Sequence, residues 1–119
     1  AWCGVTRDWK RLWVLWTRAL HDEDAGRTRR GFDRRWRAQL VAAIETGQGA
    51  GEFSAEADAA DVAAELAALL DGLAVQVALA DPEMPVERMS ALARGTAERL
   101  LDCQLPPSAG YGYELLEAA

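Results

Sequence analysis

Little in this sequence serves the commoner kinds of site chemistry. Among its 119 residues are two cysteines and one histidine. Cys3 and Cys103 lie near opposite ends and suggest no disulfide framework. Neither has the close Cys or His neighbour that metal-ligand spacing requires. His21 stands beside Asp22, Glu23 and Asp24, and no second histidine completes a metal trio. Serines are too few and too badly placed for a nucleophile and base. Asp58, Asp61 and Glu65 fall within a few turns of each other, but solvation and helix-end electrostatics account for such carboxylates. No catalytic residue, metal or cofactor is expected, and the chain does not read as an enzyme. No apolar run approaches the ~20 residues of a membrane span. Asp8 and Lys10, soon after Trp2, are unlike a signal peptide.

β-Branched residues are also sparse, whereas alanine is abundant and arginine replaces lysine almost everywhere. Those choices favour helix over sheet. With 50% hydrophobic residues in 119, the chain suits one domain, spanning 1–119 with a packed core over about 7–105.

Net charge is −6 but unevenly spread: residues 1–46 carry ten basic against six acidic groups, and residues 47–119 carry three against thirteen. The one basic cluster is Arg27-Thr28-Arg29-Arg30-Gly31-Phe32-Asp33-Arg34-Arg35-Trp36-Arg37. Its arginines point in several directions around a helix, and the remainder of the chain is acidic. A solvated face or salt-bridge network fits it better than a phosphate-binding surface.

Apolar spacing predicts four helices. Over 7–21, Trp9, Leu12, Trp13, Trp16, Ala19 and Leu20 share one face. Three indoles on one stripe must meet other helices or enclose a ligand, since leaving them in water forfeits a large burial term. The polar residues 21–24 and Gly26 are expected to interrupt the pattern. A second helix is predicted over 28–46, with Phe32, Trp36, Leu40, Ala43 and Ile44 at core spacing. Gln39 lies close to the Phe32 and Trp36 side. Its amide either orients a ligand or sits at the helix border bonded to water.

Gly47-Gln48-Gly49-Ala50-Gly51 is expected to stop this helix. It is no phosphate loop, because it follows a helix and lacks the Lys-Ser or Lys-Thr ending. Phe53 is expected to anchor the connection in the core. The strongest amphipathic pattern covers 58–80, with Val62, Leu66, Leu69, Leu70, Leu73, Val77 and Ala80 aligned and Asp58 at the N-cap. Asp71-Gly72 falls inside it, and the glycine suits a close helix crossing. Pro85 opens the last helix, predicted over 86–102, where Met89, Leu92, Ala93, Thr96, Leu100 and Cys103 lie along one side. The short connector makes these two an antiparallel hairpin.

Two chemistries divide the chain. Trp9, Trp13 and Trp16, facing the region of Phe32 and Trp36, form a candidate wall for a small apolar or cationic molecule. The hairpin offers mostly Leu, Val, Ala and Gly. Pairing it with the hairpin of a second copy gives a four-helix interface. The competing reading has the same leucines completing a monomeric bundle.

The order of these segments resembles a known group. Residues 9–20, Phe32-Asp33-Arg34-Arg35-Trp36, Gly47-Gln48-Gly49-Ala50-Gly51-Glu52-Phe53 and Ala67-Ala68-Leu69-Leu70-Asp71-Gly72-Leu73-Ala74-Val75-Gln76 are similar to the C-terminal regulatory domain of TetR/AcrR-family transcriptional repressors. The resemblance covers about 7–102. It implies an all-α antiparallel bundle in a cytoplasmic homodimer that binds a small-molecule effector and no membrane. The implied pocket region is Trp13, Trp16, Phe32, Trp36 and Gln39, with Trp9 beside it. The implied dimer pair is Leu66, Leu70, Leu73 and Val77 with Met89, Leu92, Thr96 and Leu100. Operator DNA would be bound by an N-terminal helix-turn-helix domain that the eight residues before Trp9 are too few to contain, so the sequence is expected to be a piece of a longer chain. A helical module that binds another protein through its aromatic stripe is the alternative.

Overall fold

Asp22 sets where the first long helix begins. In the computed structural model, which describes residue 14 and residues 16–105, a helical stretch ends at Ala19 and the chain turns through Leu20 and His21. The Asp22 side chain then accepts from the backbone N–H of Asp24 (2.9 Å) and Ala25 (3.1 Å). This N-cap satisfies donors that have no partner within the helix, and Glu23 and Asp24 add favourable charge in its first turn.

The helix that follows, α1, spans Glu23–Gly49. It starts earlier than 28 and runs past 46. The expected interruption at 21–24 is therefore the capping turn itself, and Gly26 is a buried helical residue. A Cβ at Gly26 would meet the Ala19 carbonyl at 3.4 Å and the Arg30 guanidinium at 3.2 Å, so the glycine keeps the preceding segment close. Gly47 and Gly49 likewise lie inside α1, and only Gly51, at φ +75°, takes the left-handed conformation that reverses the chain.

The turn is fastened from both sides. Gly47 O accepts from Glu52 N at 2.9 Å and Phe53 N at 3.3 Å. Gln48 Nε2 donates to Ser54 O at 2.9 Å and to Ala57 O at 2.8 Å. Ser54 N donates to Leu101 O at 2.9 Å, which ties the turn to the far end of the chain. Phe53 packs on the core as expected.

Helix α2 spans Ala59–Ala78, and Asp58 caps it by accepting from Asp61 N at 3.0 Å. Ala80, at φ 57°, and an Asp81–Met84 turn lead to Pro85, which is the N-cap of α3, Val86–Leu101. Asp102, at φ 48°, ends α3, so Asp102 and Cys103 lie beyond the helix instead of completing its last turn. Arg94 pairs with Glu98 at 3.0 Å and also donates to the Leu105 carbonyl, holding down the chain after α3. The Cys103 thiol is free and half-buried. Its pKa is raised, by burial first and then by the negative charges of Glu98 and Asp102, which is the reverse of what a reactive thiolate needs.

Each helix runs antiparallel to the next, with α2 in the middle. Its N-terminal half, through Val62, Ala63 and Leu66, meets Ile44 of α1 and Ala97 and Leu101 of α3. Its C-terminal half, through Leu73 and Ala74, meets Met89 of α3. The predicted hairpin is therefore present as α2 and α3. Among the described residues there is no strand, and no helix is long and apolar enough to cross a membrane.

Candidate functional site

A cleft of about 220 Å³ lies between α1 and α2. Helix α1 contributes Arg29, Asp33, Trp36 and Arg37, which at i, i+4, i+7 and i+8 share one face. Helix α2 supplies Asp71 and a floor of Ala64, Ala67 and Ala68, whose methyls leave the space that larger side chains would fill.

Arg29 organises the polar side of the cleft. Its Nε donates to Asp33 at 2.8 Å and its Nη2 to Asp71 at 3.2 Å, joining α1 to α2. The guanidinium also lies over the Trp16 ring, 3.6 Å from the centroid, an attraction between a cation and an aromatic face. Nη1 is buried and has no hydrogen-bond partner among the described residues. All three charged side chains are less than a third exposed. Burial pushes the Asp71 carboxyl above its ordinary pKa, against the pull of Arg29, while the charge on Asp33 pushes it further up.

This placement of a cleft against the middle helix of an antiparallel bundle accompanies a match across most of the sequence. Residues 4–102 match the family model described as BetI-type transcriptional repressor, C-terminal. The chain belongs to this family. It is thus a TetR-type C-terminal domain, the regulatory part of a transcriptional repressor. No curated protein and no solved structure matches it.

The aromatic residues singled out for this repressor domain are distributed unequally. Trp36 lines the cleft, and Trp16 reaches it through Arg29. Phe32 is half-buried but does not line it, and Gln39 is exposed and does not line it either. Trp9 and Trp13 lie outside the described residues. Sequence spacing missed Arg29, Asp33 and Asp71. Arg29 and Asp33 were visible as an i,i+4 pair within the basic cluster, but nothing along the chain connects them to Asp71, 42 positions from Arg29.

The hairpin residues also divide. Leu66, Leu73 and Met89 are 8%, 6% and 5% exposed, which places them in the chain's own core instead of on a free dimer face. Leu70, Val77, Thr96 and Leu100 are half-buried, and Leu92 is exposed. The physical reason is that α2 must cover both α1 and α3, so its strongest apolar stripe is used within one molecule. Of the basic cluster, Arg29 is absorbed into the network just described, whereas Arg30, Arg34, Arg35 and Arg37 are exposed.

Proposed function

We propose that this regulatory domain receives a small apolar or cationic effector in the cleft between α1 and α2, and that it works as a homodimer. The observation that supports this most directly is Trp36 lining a cleft floored by alanine and bordered by the Asp33 and Asp71 carboxylates together with Arg29 and Arg37. An indole face beside anionic oxygens favours flat apolar bodies and cations alike. The volume, about 220 Å³, is below the usual range of drug-sized pockets and suits a small ligand.

Occupation of the cleft would spread α1 from α2, because the same walls carry the Arg29–Asp71 tie. In the whole repressor that movement would shift the spacing of two N-terminal helix-turn-helix heads and release operator DNA. Leu70, Val77 and Leu100 pack on the chain's own core and stay half-buried, so a second copy would cover only what they leave exposed, together with the half-buried Thr96 and the exposed Leu92. Titration of a panel of small apolar and cationic compounds, read by tryptophan emission, tests the site. A saturable change that W36A abolishes supports it, and a change that W36A leaves intact removes Trp36 and the cleft from the reading.

A further inference from the structure

We propose that Arg29 is a built-in occupant of a planar-cation site, and that the effector is a guanidinium- or amidinium-bearing compound that displaces it. This rests on the cleft being the effector site and specifies the chemistry it selects.

Arg29 already displays the recognition. A flat, delocalised cation stacks on the indole of Trp16 at 3.6 Å while its edge donates to two carboxylates, at 2.8 Å to Asp33 and 3.2 Å to Asp71. Face stacking and edge donation together are met by a planar cation with several N–H groups, and less well by a compact ammonium. The cleft adjoins this arrangement directly, since the same three charged side chains line it along with a fourth, Arg37, whose charge stays in place through the exchange.

The occupant is also imperfectly held. Nη1 of Arg29 is buried without an acceptor among the described residues, so the internal cation leaves one donor unsatisfied that a ligand need not bury. Exchange keeps the charge balance, because one monovalent cation replaces another against Asp33 and Asp71. It thereby avoids the large penalty of adding an unpaired charge to a partly buried site. Arg29 swings out along an exposed basic face of α1 that already carries Arg30, Arg34 and Arg37. The swing severs the tie to α2, which gives ligand exchange a structural consequence at a distance.

Benzamidinium and its neutral isostere benzamide are the probes, titrated by calorimetry into the wild-type chain, R29A, R29M, and R29M with D71N. Removing the internal competitor should tighten benzamidinium binding by about ten-fold or more in both R29A and R29M, and adding D71N to R29M should weaken it about ten-fold relative to R29M. Benzamidinium should also raise the unfolding temperature of R29A more than that of the wild type. R29M retains most of the apolar stem, so it keeps the test interpretable if R29A fails to fold. Benzamidinium binding that is no tighter in R29A and R29M, or that equals benzamide binding, overturns the proposal. In that case benzamide bound equally by wild type and variants leaves the effector cleft standing, whereas no binding of either probe overturns both.

Discussion

Gly47 lies directly beneath the ring of Phe53, so closely that a Cβ on residue 47 would fall 2.3 Å from two ring carbons. The contact explains why α1 tolerates a glycine two residues before its end. It seats the aromatic ring that joins the 50–58 turn to the core.

G47A should therefore destabilise the domain by about 1–3 kcal/mol through overpacking, despite alanine's better helix propensity. Denaturant unfolding of G47A, F53A and the double variant checks it. The cost of G47A should shrink when the ring is absent, and strictly additive effects would show that the contact is not the cause.

Gln48 spans two carbonyls of the same turn. Q48A should lower stability by about 1–3 kcal/mol, since Ser54 O and Ala57 O lose their side-chain donor. Amide hydrogen exchange should rise locally over 51–58. Unchanged exchange there would mean that water replaces the amide without loss.

Leu73 and Leu92 separate folding from association. L73D places a charge in the chain's core and should cost roughly 3 kcal/mol or more, melting the domain at any concentration. L92D alters an exposed side chain, so it should leave the fold intact and weaken self-association. Sedimentation over a concentration series, with circular dichroism as the check on folding, distinguishes them. A wild-type chain that stays monomeric throughout would remove the homodimer.

Asp71 makes a prediction for pH. Its folded-state pKa is raised, so the folded protein holds the proton more tightly than the unfolded chain. The associated stability is present at low pH and is lost as pH rises from the ordinary carboxylate value through the raised one. Thermal midpoints of wild type and D71N should accordingly diverge in favour of D71N as pH rises above about 4. Divergence in the opposite sense would mean that the Arg29 pairing outweighs burial.

Much of the fold was legible in the residues. Asp58 and Pro85 marked helix starts because capping and a fixed φ are local chemistry, and the apolar rows of 58–80 and 86–102 gave the hairpin. The glycine tract 47–51 did mark the end of α1, within three residues of the expected bound, whereas Gly26 did not mark a break at its start. Gly26 read as a break, and neither its close approach to Ala19 nor that of Gly47 to Phe53 was visible, because a contact made by tertiary packing leaves no periodic trace. The candidate site was half legible for the same reason. Trp16 and Trp36 stood out by type, whereas the Arg29–Asp71 pair depended on how two helices cross.

Composition and spacing by themselves settled that this chain is helical, where its hairpin lies and which family it resembles, because helix propensity, capping and amphipathic period act over a few residues. Tertiary packing decided which side of the central helix was spent inside the molecule and which charges met across the cleft. Those outcomes depend on the relative rotation of neighbouring helices, which fixes whether a leucine is covered and whether a carboxylate finds an arginine.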